Sequence, residues 1–547
     1  MARASGAATT SRTGNRRENP AADDGAMTPP TPTTSPAGGD GIGSAAGRVR
    51  DLLSFEGRHR ILHLTWFAFF LTFVVWFNFA PFANTIAEQL ALTEAQKKTI
   101  GLCNVALTVP ARIFIGMALD RWGPRRVYSA ILLFAVVPNT VFALAQTFEA
   151  MVFSRLALSV VGAGFVVGIR MVSEWFPPRE VGTAEGVYGG WGNFGSAAAA
   201  FSLPVLAGLF GGDDGWRWSI LATGVVAAAY GLVYLRSVTD TPEGVTYARP
   251  RRQGALEVTQ RKSVFALAAL TVPFNAVLAL IAWRIWREDV ISTGTFVGTL
   301  VVVAALLLLQ EWTVFRVNRP ALRDEYPVED RYPVRNVTVL CIAYFATFGS
   351  ELAVVTMLPG FFADTWGLGP AMAGLAASGF AFMNLVARPA GGLLSDVLGS
   401  RKRTLSTLLV GLVAGYGLMS TLGAGWPWVA AVAVCMACSF FVQSGEGAVY
   451  AIVPLVKKRV SGQVAGMAGA MGNVGAVCFL TLNVFVSERV FFLCIAGASV
   501  VAVACSRFLI EPEGSFAAEL LTDEPVRPVE VPIDLTGEPA LTPSLVD

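Results

Sequence analysis

ARIFIGMALDRWGPR fills residues 111–125, and ARPAGGLLSDVLGSR fills residues 387–401. Ala111-Arg112-x3-Gly116-x3-Asp120-x2-Gly123-x-Arg125 thus returns as Ala387-Arg388-x3-Gly392-x3-Asp396-x2-Gly399-x-Arg401, 276 residues later. A second stretch repeats in the same order. Gly182-x3-Gly186-x2-Gly189-x2-Gly192-Asn193-x-Gly195 returns 280 residues on as Gly462-x3-Gly466-x2-Gly469-x2-Gly472-Asn473-x-Gly475. Two motifs recurring in one order at nearly one offset mean that the chain carries two copies of one unit.

The unit is a bundle of membrane helices. Of the 547 residues, 54% are hydrophobic and 15% charged, where soluble domains carry about a quarter charged residues. Apolar runs of about 20 residues, enough for a bilayer core of ~30 Å, predict segments near 61–86, 98–119, 126–147, 149–174, 180–211 and 216–236. Two more follow near 263–283 and 293–314, then six near 336–362, 370–394, 403–423, 427–453, 462–484 and 489–510. The basic residues collect in alternate loops, among them Arg125 and Arg126, Arg249 to Arg252, Arg401 to Arg403 and Lys457 to Arg459. The opposite loops hold Glu88, Glu149, Asp213 and Asp364. The positive-inside rule then puts both termini in the cytoplasm and demands an even number of crossings. The expected fold class is an all-α membrane protein of two parallel six-helix halves with two extra helices between them. Its organisation is a disordered tail over 1–58, a first half over 59–237, a basic linker with the extra segments over 238–334, a second half over 335–511 and a disordered acidic tail over 512–547. Pro273 and Asn275 interrupt the first extra segment and leave a re-entrant hairpin as its alternative.

Arg112 and Arg388 lie two turns before their loops, inside the hydrocarbon span. An arginine at mid-helix costs ~2.5–3.5 kcal/mol on insertion scales, and such residues face a bundle interior. Parallel halves place a substrate site at their interface near the midplane, so the matched arginines can converge there. At a separation of about 8 Å and a dielectric of ~20 their repulsion is about 2 kcal/mol, which a bound anion relieves. A guanidinium fork suits a planar oxyanion. Gly182, Gly186, Gly189, Gly190, Gly192 and Gly195 recur at three- and four-residue steps and predict one bare helix face. Packing alone explains glycines but not an asparagine at the same place in both copies; Asn193 and Asn473 each offer an amide.

The loop from Gly116 through Asp120, Arg121, Gly123 and Arg125 resembles the signature loop of the major facilitator superfamily, with Gly392 to Arg401 as its second copy. The resemblance implies a conformational role, in which Asp120, Asp396, Arg401 and their neighbours latch helix ends. Gly189-Gly190-Trp191-Gly192-Asn193-Phe194-Gly195 resembles the nitrate signature of the nitrate/nitrite porter family, and Gly469 to Gly475, with Gly472, its second copy. Tyr344-x3-Phe348-Gly349-Ser350 and Phe165 are similar to that family's pattern too. The resemblance covers about 60–236 and 335–510. It implies a major facilitator fold in which Arg112 and Arg388 clamp the anion, Phe165 and Phe348 cover its flat face, and Tyr344 and Asn193 bond its oxygens; Asn473 extends the set through the repeat. Glu351, where family members differ, is a proton-coupling candidate beside a structural acid as its plain alternative. Arg170 and Glu174, four residues apart, read as a structural or gating ion pair.

Nitrate or nitrite is the expected cargo, protons a possible coupling ion, and the lipid bilayer the surroundings, with a monomer in the cell inner membrane as the working unit. A net charge of +2 leaves no nucleic-acid footprint, and the chain carries no Gly-rich nucleotide loop of the Walker type. Cys435-x-x-Cys438 reads as core packing, and the two histidines, His59 and His63, leave no histidine metal site, so neither cofactor nor metal is expected. An enzyme is disfavoured by the lack of a nucleophile–base pair. The remaining alternatives are a nitrate/nitrite exchanger, a carrier of another small anion, and a membrane nitrate sensor.

Overall fold

A computed structural model describes residues 54–252, 254–287 and 291–518. Its regular elements are helices, fourteen of them long. The first half comprises α1 (Gly57–Gln89), α2 (Glu94–Ala106 continued by Thr108–Trp122), α3 (Pro124–Leu144), α4 (Phe148–Trp175), α5 (Pro178–Phe210) and α6 (Gly215–Ser237). The extra pair is α7 (Arg261–Arg287) and α8 (Thr293–Val317). The second half runs through α9 (Val334–Trp366), α10 (Pro370–Phe382 continued by Asn384–Val397), α11 (Arg401–Met419), α12 (Trp428–Leu455), α13 (Lys458–Leu482) and α14 (Glu488–Ser506). Eleven of these are long and apolar enough on their own to cross a membrane. The other three are α2 and α10, which are broken, and α11, which starts on three basic residues.

The breaks repeat like the sequence. α2 is interrupted at Leu107 and α10 at Met383, each five residues before its arginine and 276 residues apart. In α2 the cause is Pro110, which has no N–H to bond the carbonyl four residues back. Each half therefore interrupts its arginine-bearing helix just before the arginine.

The halves meet along two matched seams, α2 on α13 and α5 on α10. Both are built on glycine. A Cβ at Gly116 would stand 2.7 Å from the Gly462 carbonyl, one at Gly466 2.6 Å from the Arg112 carbonyl, and one at Gly186 2.6 Å from the Arg388 carbonyl. Only bare backbones approach so closely.

At the end carrying the basic loops the seams are tied shut. Asp120 accepts from the Gln463 N–H at 3.1 Å. Its repeat partner Asp396 accepts from the Gly182 and Thr183 N–H groups at 3.0 and 2.6 Å. Each acid thus accepts from backbone N–H groups near the start of a helix in the other half, the end where the helix dipole favours a carboxylate. Arg401 pairs with Asp396 at 2.9 Å and donates to the Pro178 carbonyl across the seam. Gly123 and Gly399 turn the chain just past these helices with φ of +84° and +68°, a conformation open to glycine. Among the described residues, Arg121 and Arg125 make no contact across the seam. Arg121 lies over the Trp122 ring, and Arg125 bonds Asp240 and the Leu235 carbonyl of its own half.

The interrupted pair forms two full-length helices, α7 and α8, of 27 and 25 residues, about 40 Å each at 1.5 Å per residue. Pro273 is accommodated inside α7, and Asn275 donates to the Thr271 carbonyl and to Gln310 of α8. α7 packs on α9 and α13, and α8 packs on α7. One boundary is corrected: residues 512–518, expected in a disordered tail, dock on the basic end. Ser515 accepts from Arg401, the Phe516 ring lies under its guanidinium, and Ala517 accepts from the Arg179 N–H. Residues 1–53 and 519–547, where the tails were expected, lie outside the described residues.

Candidate functional site

Arg112 and Arg388 both reach the interface, and each is at most 2% exposed. Each crosses to the other half. Arg112 Nη1 donates to the Gly469 carbonyl at 2.6 Å, and Arg388 Nη1 reaches the Gly189 carbonyl at 3.5 Å. Since Gly189 and Gly469 are repeat partners, the two contacts form one exchange related by a pseudo-two-fold. The glycines are required there: a Cβ at Gly469 would sit 3.0 Å from Arg112 Nη1, and one at Gly189 2.9 Å from Arg388 Cδ.

The arginines share one ring. Their guanidinium carbons lie 5.6 and 5.9 Å from the Phe165 centroid, hence no more than about 12 Å apart, for a repulsion of about 1.4 kcal/mol or more at a dielectric of ~20. Phe165 is positioned by a short 3-10 stretch, Ser159–Ala163, that offsets the start of the final α4 turns. Arg112 also lies 5.2 Å from the Phe348 centroid. The Tyr344 ring is nearly parallel to both, with centroids 5.0 Å from Phe348 and 6.5 Å from Phe165. Its buried hydroxyl has no hydrogen-bond partner among the described residues. Tyr450, which sequence reasoning did not reach, stands edge-on to Phe165 and Tyr344 at 4.7 and 4.9 Å.

The asparagines differ. With its amide oxygen toward the arginine, Asn193 accepts from Arg388 Nη1 and Nη2 at 2.8 and 3.2 Å. Asn473 donates to the Gly469 carbonyl at 3.2 Å, the carbonyl that Arg112 holds, and its oxygen is unpartnered. The glycine stretch does not form one face toward the other half. Gly182, Gly186, Gly189 and Gly190 meet α10, whereas Gly192 and Gly195 pack on Phe69 and Phe70 of α1. In the second copy Gly472 and Gly475 likewise lie against Tyr344 and Phe345 of α9. α5 and α13 each cross two neighbours, so one stripe serves two interfaces.

Glu351 is buried beside Arg388. Its carboxylate is 3.5 Å from Arg388 Nη2 and accepts from Asn384 at 2.5 Å and Gln443 at 3.4 Å. A second carboxylate, Glu446 on α12, pairs with the same Nη2. The signal for Glu446 was in the sequence, a lone acid inside an apolar segment as at Glu351, without a family motif beside it. Arg170 and Glu174 pair at 2.8 Å. Arg170 also donates to the Lys458 carbonyl and Ser461 in the second half, and to Ala248 in the linker at 2.6 Å. It thus ties both halves and the linker at the basic end. Outside the membrane, burial pushes the Asp330 carboxyl up, but hydrogen bonds and charge from Arg459 and Lys457 outweigh this and hold it below its ordinary range.

The Major Facilitator Superfamily profile matches residues 65–318 and 340–539. A nitrate/nitrite transporter NrtP of Picosynechococcus sp. is 48% identical over 510 residues, covering 85% of this chain and 96% of that protein. Its namesake from Nostoc punctiforme is 47% identical over 478 residues, covering 86% and 96%. The high-affinity nitrate transporter 2.3 of Oryza sativa subsp. japonica is 28% identical over 441 residues, covering 79% and 73%. Among solved structures, the proton:xylose symporter XylE superposes with a TM-score of 0.57 at 14% identity, covering 84% of this chain and 97% of that one. FucP in its outward conformation gives 0.57 at 12% identity, covering 82% and 98%. These two likenesses speak to the fold alone.

Proposed function

Because the chain belongs to the major facilitator superfamily, and within it to the nitrate/nitrite porters, we propose that it carries nitrate, and nitrite with it, across the cell inner membrane by alternating access. The observation that carries this reading is the exchange of the two arginines across the halves around Phe165. Two buried guanidinium groups facing a shared aromatic ring form a receptor for a small flat anion. In this reading Arg112 and Arg388 clamp the anion, Phe165 and Phe348 cover its face, and Tyr344, Asn193 and Asn473 turn polar atoms to its oxygens. The signature loops of Asp120 and Asp396 open and close the basic end, which faces the cytoplasm with both termini. All these residues come from one chain, which supports a monomer as the working unit.

Uptake against an inside-negative potential requires more than one positive charge per anion, and protons supply it. Glu351, bonded to Arg388, is the carboxylate placed to couple the two. Proteoliposomes holding the purified protein provide the test. Nitrate uptake should rise with an inward proton gradient and should not require internal nitrite. Uptake that ignores the gradient and requires internal nitrite would make the protein an exchanger; a pore selective for another anion would leave nitrate uncarried.

A further inference from the structure

Arg112 and Arg388 are repeat partners but are not equally occupied. The Nε of each is without a partner among the described residues, but on its terminal nitrogens Arg112 holds one backbone carbonyl. Arg388 is crowded: Asn193 and the Gly189 carbonyl approach Nη1, and the carboxylates of Glu351 and Glu446 both lean on Nη2. Two guanidinium groups and two carboxylates thus meet at the site, a formal charge of zero before any anion arrives. An anion that needs Arg388 must displace both carboxylates, and two carboxylates freed into a buried site would repel it.

We propose that Glu446 is a second proton carrier, so that each anion travels with two protons, one on Glu351 and one on Glu446. The inference rests on the reading of the chain as an anion transporter. A proton arriving from water converts each carboxylate to a carboxyl group. Its ion pair with Nη2 becomes a neutral contact, and the arginine's charge and N–H groups pass to the anion. Anion and protons therefore bind cooperatively through Arg388. When the anion leaves, the carboxylates recover the arginine and the protons depart on the same side.

The surroundings of Glu446 fit this role. α9 presents Glu351 and Tyr344, and α10 presents Arg388. Asp396 lies two turns further toward the basic end, held by Arg401 of α11. α11 adds Tyr416, and α5 adds Glu185, three residues from Tyr188. On α12 itself, Gln443 is committed to the Phe380 carbonyl and Glu351, and Tyr450 to the Ala465 carbonyl. Arg388 is the cation that touches Glu446 among the described contacts, so the Glu446 carboxylate and the anion compete for one group.

The test counts protons. Wild type, E351Q and E446Q are reconstituted, the membrane potential is clamped at zero, and nitrate accumulation is read at an inward gradient of about one pH unit. Two protons per nitrate predict about 100-fold accumulation, one predicts about 10-fold, and none predicts no accumulation. Wild type should reach the first level, each single variant the second, and the double variant none. Nitrate counterflow is measured in parallel. E446Q accumulating like wild type would overturn the assignment. So would E351Q with normal counterflow but no accumulation, an outcome that does not depend on how E446Q folds. Wild type without nitrate counterflow would instead overturn the substrate reading beneath it.

Discussion

Arg112→Lys keeps a positive charge at the half interface and removes the fork. In the structure the guanidinium uses one nitrogen on the Gly469 carbonyl, 2.6 Å away, while its plane spans Phe165 and Phe348 at 5.6 and 5.2 Å. A lysine ammonium is a point donor, and it cannot hold that carbonyl and also present two parallel N–H groups to an oxyanion. Losing one charge-assisted hydrogen bond of about 1.5–3 kcal/mol weakens nitrate binding by about 10- to 150-fold. The charge and stem that the bundle buries are kept, so the variant should insert and elute as wild type does. Calorimetric titration of nitrate in detergent measures the affinity, and counterflow in proteoliposomes checks that the folded variant still carries the ion at high concentration. Wild-type affinity in Arg112→Lys, or in the matched Arg388→Lys, would refute the clamp.

Gly189→Ala and Gly469→Ala place a Cβ 2.9 Å from Arg388 Cδ and 3.0 Å from Arg112 Nη1; each should raise the nitrate Kd about tenfold by shifting its arginine, with expression unchanged because alanine suits a helix better than glycine. Asp396→Asn weakens the cap on Gly182 and Thr183 and the bond to Arg401, so a cysteine at the buried Ala451 position should be alkylated faster than in the wild-type background; equal rates would mean that the cap does not hold the basic end shut. With native cysteines replaced, Gly294→Cys at the exposed start of α8 should label from the face opposite the basic loops, and labelling from the basic side alone would deny α7 and α8 their crossing. Asp330 is held below its ordinary range by Arg459 and Lys457, so its contribution to linker docking is full above about pH 4, its unfolded value, and fades only as pH falls through its lower folded value; protease cleavage in the linker should be flat from pH 8 to 5, and a rise inside that window would refute the pairing.

What the sequence made legible follows from what a repeat records. Nearly equal offsets placed Arg112 opposite Arg388 and Gly189 opposite Gly469, and the structure brings all four together. The breaks at Leu107 and Met383 obey the same offset. Departures from the repeat were harder to see. Glu446 meets Arg388 only because α12 packs on α10. Arg170 reaches Ser461 and Ala248, contacts that no local spacing encodes; the sequence offered only its neighbour Glu174. The glycine stripe was read as one surface because a period of three and four defines a face of the helix, not the neighbours that the face meets along its length. Residues 512–518 carried the composition of a tail, yet their backbone carbonyls supply acceptors to Arg401 and Arg179, a role that composition does not report.

On the proposed reading, the level of the pseudo-two-fold exchange is the natural axis for the rocking of the halves. Arg112 on Gly469 and Arg388 on Gly189 lie at one level of the bundle. Asp120 on the α13 start and Asp396 on the α5 start lie eight residues further along α2 and α10, about 12 Å closer to the basic end at 1.5 Å per residue. A rocking of about 15°, the size of known subunit rotations, displaces points 12 Å from its axis by about 3 Å. An N–H···O bond stretched by that amount is lost, whereas contacts on the axis keep their length. The aspartate caps are therefore the bonds that a rotation about the arginine level breaks, and the arginine–glycine contacts are those it spares. An anion held at that level stays in its receptor while the basic end opens. The same arrangement couples the anion to the opening, because Arg388 and Asp396 share one rigid stretch of α10, two turns apart, and an arginine drawn from its carboxylates to an anion bears directly on the helix that carries the cap.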